Sequence, residues 1–183
     1  VYFIDDDDYL QRKHTVADAA GNAYEDNDER AIFFARGVIE TVRKLRWSPD
    51  IVHCHGWLTA LVPLYLRKLY SDDPVFSKLK TVYSVYNNGF KKPLSSSMSG
   101  KLEADGIDSG ALKAIKSGVD FMSLTRLAAE NSDGIILGCE KIDEQVKKQV
   151  SGMGKPLLEF LSEDNYIDAY NDFYDKLLLE QKK

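Results

Sequence analysis

The stretch Ile51-Val-His-Cys-His-Gly-Trp-Leu-Thr-Ala-Leu-Val-Pro-Leu-Tyr-Leu66 decides the fold. It opens with a short apolar run led by two β-branched side chains and closes that run with a glycine, which reads as a strand over Ile51–His53. From Trp57 the apolar residues recur at three- and four-residue spacing, which predicts a helix from about Trp57 to Tyr70. Pro63 falls in the first turns of that helix or kinks it. A strand that runs straight into a helix is half of a β–α–β unit. The flanking sequence says whether the unit repeats.

It repeats on both sides. Val1–Ile4, Thr81–Tyr86 and Gly134–Leu137 are also short, rich in β-branched or aromatic residues and bounded by turns. They alternate little between apolar and polar, as strands covered on both faces do. Helical periodicity appears near Glu29–Arg46, Phe121–Asn131 and Glu140–Val150. In the first of these Ile32, Ala35, Ile39 and Val42 share a face, Asp28 is placed to cap the start, and Ser48-Pro49 stops the end. Strand and helix in alternation predict right-handed crossovers and an α/β fold with a doubly wound parallel sheet.

Two segments break the rhythm. Residues 87–117, with Ser95-Ser-Ser-Met-Ser-Gly100 at their centre, read as a long mobile surface loop or lid. Residues 163–182 read as an amphipathic helix with acids in its first turn and lysines at its end. Tyr166, Ile167, Tyr170, Phe173, Tyr174, Leu177 and Leu178 make its apolar face. Such a face packs on its own domain; a homo-oligomer is the other way to cover it.

Composition narrows the function classes. The chain has 183 residues, enough for one ordinary domain. Acids outnumber bases 29 to 24 for a net charge of −5, which argues against nucleic acid, since phosphate binding needs a surplus of Lys and Arg. No apolar run approaches the roughly 20 residues that cross a bilayer, so no membrane partner is expected. Two cysteines, Cys54 and Cys139, each inside an apolar run, suit reduced buried thiols and a cytoplasmic protein rather than a disulfide scaffold. The chain lacks an initiator Met and opens on a strand-like run, so the expectation is that it starts inside a domain.

Most catalytic motifs are absent. There is no G-x-x-x-x-G-K-[ST] loop, and Gly152-Met-Gly154-Lys155 is too short and follows a helix. No G-x-G-x-x-G opens the first crossover, and no nucleophile signature is present, so no cofactor is implied. In His53-Cys54-His55, strand alternation puts both imidazoles on one face and the thiol on the other, and no metal is expected. The acidic run Asp5–Asp8 reads as a solvated strand-end turn ahead of a cation site.

In an open α/β sheet, ligands bind outside the carboxyl ends of the strands. Two such ends stand out: His53-Cys-His55-Gly56-Trp57 and Tyr86-Asn87-Asn88-Gly89. The first leads into a helix whose free N–H groups could meet a phosphate or a sugar hydroxyl. Trp57 either stacks on a sugar or packs in the core. Gly56 either admits a ligand to the backbone or permits the turn.

At these residues the sequence resembles a known family. Trp47-x-Pro-Asp-Ile-Val-His-x-His-Gly-Trp-x-Thr-Ala-Leu-Val-Pro-Leu-Tyr-Leu66 is similar to the segment of bacterial glycogen synthases and plant starch synthases that reads W-x-P-D-[IV]-[IV]-H-x-H-D-W-H-[TA]-[AG]-L-x-P-x-Y-L. Arg30-Ala-Ile-Phe-Phe-Ala-Arg36 resembles the helix before that motif, and Thr81-Val-Tyr-Ser-Val-Tyr-Asn87 its T-V-H-N strand. The resemblance runs over roughly residues 1–150. It implies a Rossmann-like lobe of a GT-B glycosyltransferase, with the whole chain 1–183 as a partial N-terminal lobe. It further implies glucosyl transfer from ADP-glucose to an α-1,4-glucan in the full enzyme, and both as partners. The donor loop K-x-G-G-L and the nucleotide-binding second lobe do not occur in these residues, so the chain alone is expected to be inactive.

By the same resemblance His55, Gly56, Trp57 and Asn87 are substrate-binding candidates, and the backbone carbonyl of Tyr86 faces the forming oxocarbenium ion. Three positions depart from the family. Gly56 stands where it has Asp, Leu58 where it has a second His, and Tyr86 where T-V-H-N has His. The alternative is a non-catalytic glucan-binding or regulatory module derived from the lobe.

Overall fold

The computed structural model describes residues 1–87, 89–162 and 166–179. Strands β1 (Ile51–His55), β2 (Lys80–Val85), β3 (Gly134–Leu137) and β4 (Leu157–Leu158) form one sheet in the order β1-β2-β3-β4. Every pairing is parallel, with His53 beside Val82 and Ser84 beside Ile136. The helices are α1 (Asn27–Lys44), α2 (Leu61–Leu69), α3 (Met98–Ala104), α4 (Phe121–Glu130), α5 (Glu144–Ser151) and α6 (Tyr166–Leu179). Parallel neighbours require crossovers, and α2, α4 and α5 supply them.

Side-chain alternation sorts the sheet into two covered faces. Cys54, Tyr83, Val85, Ile135 and Leu137 point into the main core with Ala35, Ile39, Leu64, Leu124 and Val150 of the helices. Val82 and Ile136 point the other way and are covered by Phe173 and Leu177 of α6. Gly134 lets α6 sit close: a Cβ there would stand 2.8 Å from side-chain carbons of both Phe173 and Leu177. The sheet is thus layered on both sides, the α/β arrangement that the strand–helix alternation predicts.

Caps set where the helices begin. The Asp120 carboxylate accepts from the Ser123 amide at 2.7 Å, and that of Asp143 from Gln145 and Val146 at 2.8 and 3.2 Å. At α1 the cap position is Asp26 rather than Asp28, which lies buried in the first turn and pairs with Lys101 at 2.7 Å.

Two expectations are corrected. Val1–Ile4 makes no ladder; Val1, Tyr2 and Phe3 are exposed, because no described strand offers them backbone partners. The segment 87–117 is packed rather than a mobile loop: it contains α3, and Phe90, Leu94, Met98 and Leu102 are buried at a regular four-residue spacing. Its serines turn the chain, with the Ser95 hydroxyl accepting from the Ser97 amide at 3.2 Å. The last helix is described over Tyr166–Leu179; the remainder of the expected span 163–182 lies outside the described residues, as does Asn88. Among the described residues no helix is long and apolar enough to cross a membrane.

Candidate functional site at the carboxyl ends of the strands

β1 and β2 end side by side, so the two sequence-predicted strand ends share one edge of the sheet. The two-residue period of a strand places His53, His55, Ser84 and Tyr86 on the α6 face. The His53 and His55 rings stack with centroids 3.9 Å apart. His55 Nδ1 lies 2.9 Å from the Tyr86 hydroxyl. Below it, His53 Nδ1 meets the Tyr174 hydroxyl at 2.7 Å and Nε2 meets Ser84 Oγ at 2.6 Å. Tyr170 of α6 stands 5.8 Å from the His53 ring, centroid to centroid.

Burial, with the neighbouring His55 adding to it, lowers His53 from its ordinary 6.5 to about 3. Partial shielding of the His55 ring from water lowers it as well, and burial raises Tyr86. The imidazoles are therefore neutral at neutral pH, each with one donor and one acceptor nitrogen. Both His53 nitrogens are occupied, which fixes its ring. The arrangement is a positioned network of neutral hydrogen-bonding groups. Cys54 lies on the opposite face, buried, its thiol pushed up to about 12.

The sequence-predicted site residues separate into two groups. His55 and Asn87 are exposed and Tyr86 is half-buried at the edge. The Asn87 amide donates to Cys139 Sγ at 3.2 Å, which pins the end of β2 to the end of β3 and leaves the carboxamide at the surface. Trp57 is the correction: it is 2% exposed and packs edge-on against Phe90 at 5.6 Å, so it is core and presents no face to a sugar. Gly56 adopts φ 71 and ψ −175, a backbone region that essentially only glycine enters.

The helix N-terminus expected after His55 is not an open anion site. Trp57–Thr59 form a 3-10 turn and α2 begins only at Leu61, with its first turn buried. The Gly56 amide donates to the Ser84 carbonyl at 3.1 Å. Residues that sequence reasoning missed are Ser84 and Tyr174. The parallel register carries the signal for Ser84, since it pairs with His55; nothing in the sequence aligns Tyr174 with His53.

Residues 1–155 match the family model described as the starch synthase catalytic domain. A glycogen synthase of Chlorobium luteolum is 33% identical over 156 residues, 84% of this chain and 31% of that protein. A glycogen synthase of Geotalea daltonii is 42% identical over 91 residues, 50% of this chain and 19% of that protein. The chain thus spans between about a fifth and a third of the length of these relatives. Among solved structures, the catalytic domain of Starch Synthase IV from Arabidopsis thaliana bound to ADP and acarbose superposes with a TM-score of 0.60. It is 19% identical, and the match covers 76% of this chain and 30% of that one, a likeness of fold.

Proposed function

Because this chain belongs to the glycogen and starch synthase family, we propose that the carboxyl edge of its sheet is one wall of a sugar-transfer cleft. In the full enzyme that cleft moves glucose from ADP-glucose to the end of an α-1,4-glucan, in the cytoplasm. The observation that carries this reading is the meeting of His55, Tyr86 and Asn87 on one strand-end edge, within the residues that match the family. Open α/β sheets bind their ligands there.

Each group has a distinct task. The exposed Asn87 carboxamide binds a sugar hydroxyl. The Tyr86 carbonyl lies beside positive charge developing at the anomeric carbon, where a fixed dipole is most useful. His55, held through Nδ1 by the Tyr86 hydroxyl, offers Nε2 to a second hydroxyl. The Ser84–His53–Tyr174 chain below holds the upper imidazole in place without touching substrate.

A second reading, a glucan-binding or regulatory module without transfer, is favoured by one observation. Gly56 supplies no carboxylate and sits in a glycine-only conformation. A positioned acid or base is worth about 10²–10⁴ in rate.

Titration of the isotopically labelled chain with maltoheptaose, read by amide chemical shifts, tests the sugar site. Weak binding near 1 mM, about 4 kcal/mol, is expected, with shifts at His55, Gly56 and Asn87. If no strand-end amide moves at high sugar concentration, the reading is wrong.

A further inference from the structure

With Trp57 in the core, the strand-end edge takes its aromatic surface from α6. Leu177 packs against Gly134, the first residue of β3. Nearer the start of the helix, Tyr174 bonds His53 in the middle of β1. Nearer still, Tyr170 is raised by burial and then by the neighbouring Tyr86, which lies beyond the end of β2. The helix therefore runs against the strands, and its first turn, which carries Tyr166, points toward their carboxyl ends.

Tyr166, Tyr170 and Tyr174 recur every four residues, a rise of about 6 Å along a helix. Their rings follow that spacing, with centroids 5.6 and 6.1 Å apart and edge-on packing at 82° and 70°. From Tyr170 the file continues to the His53 ring at 5.8 Å, and from there to His55 at 3.9 Å. Exposure falls inward: Tyr166 is 42% exposed, whereas Tyr170 and Tyr174 are half-buried. The outermost ring meets water with a fixed ring behind it.

Charge decides the class of ligand. The polar groups behind Tyr166 are neutral, since burial holds the Tyr174 phenol up at about 12 and raises that of Tyr170, and both imidazoles are lowered. A phosphate gains no charge pair from such groups. A purely apolar ligand would strip water from phenol and imidazole without replacing its hydrogen bonds. A neutral polyhydroxylated ring meets neither objection: its C–H face lies on the apolar body of a tyrosine, while its hydroxyls bond phenol and imidazole.

We infer that Tyr166 and Tyr170 form the stacking face for a glucosyl ring of the acceptor chain at the strand-end edge, which makes α6 part of the cleft wall. The inference rests on the reading that this edge serves sugars, and the two are separable by where the signals move. In a titration of the full chain with maltoheptaose, the tyrosine ring signals of Tyr166 and Tyr170 should shift together with the strand-end amides, at one common affinity. Tyr166→Ala should weaken binding about fivefold, or roughly 1 kcal/mol, whereas Tyr166→Phe should stay within about twofold. Ile167→Ala, exposed beside it, should change nothing. Tyr166 is exposed, so its variants should keep the urea midpoint of the unaltered chain. Strand-end shifts without the two rings would overturn the inference and spare the cleft; ring shifts without the strand-end amides would do the reverse. No shift at either place overturns both. Unchanged affinity in Tyr166→Ala, an equal loss in Ile167→Ala, or ADP moving the rings in place of the sugar would also overturn the inference.

Discussion

Tyr86 lies across Gly138: a Cβ on that glycine would stand 2.5 Å from the tyrosine ring. The end of β3 is bare because the end of β2 carries a large ring folded over it, and the same ring reaches His55. Gly138→Ala is expected to displace Tyr86 and cost about 1–3 kcal/mol by overpacking. The smaller ring of Tyr86→His should relieve most of that loss. Chemical denaturation of the two single variants and the double variant measures the coupling. Additive losses would show that the ring does not depend on the missing methyl.

Gly56 constrains any attempt to restore chemistry. At φ 71 and ψ −175 an aspartate is strained, so Gly56→Asp is expected to destabilise the chain by about 1–3 kcal/mol. It should bring no gain in glucose transfer. The purified 183-residue chain, with or without Gly56→Asp and Tyr86→His, is expected to incorporate no labelled glucose from ADP-glucose into glycogen. Orientation of reactants and exclusion of water are worth several kcal/mol, and a chain that spans between about a fifth and a third of its relatives' length is expected to lack part of both. Clear turnover beside a two-lobed synthase as positive control would refute this.

The contacts of α6 divide its apolar residues. Phe173 is 7% exposed against Val82 and Ile136, whereas Ile167 is 60% exposed. Phe173→Ala should cost about 3–5 kcal/mol, and Ile167→Ala less than about 0.5 kcal/mol. Equal, small losses in urea denaturation would mean that α6 is a detachable tail.

The pH dependence follows from His53. Its folded value is about 3 and its ordinary value 6.5, so between them the unfolded chain holds a proton that the folded chain refuses. Its contribution to stability is complete above about pH 6.5 and is lost progressively as pH falls toward 3. The denaturation midpoint should therefore drop over that range. His53→Asn, which cannot titrate, should flatten the drop. An unchanged slope in the variant would assign the loss to the carboxylates instead.

The strands and helices around Ile51–Leu66 were legible in the sequence because their pattern is local. A covered strand must be apolar on both faces, and a crossover helix must keep one apolar stripe; both rules act within a few residues. The parallel sheet and the shared strand-end edge follow from that pattern and from chain handedness. β4 is only two residues long, too short for any period to register. The segment 87–117 misled because serines dominate its composition, while the spacing of Phe90, Leu94, Met98 and Leu102 holds it in the core. Local sequence suits Trp57 to a ligand face or to the core alike, and the edge-on contact with Phe90, distant in sequence, makes it core. The network at the site belongs wholly to the tertiary structure. Tyr174 lies 121 positions from His53, and only the packing of α6 on the sheet brings the hydroxyl to the imidazole. Local pattern determines which residues can share a face; the long-range closure of the chain decides which of them touch.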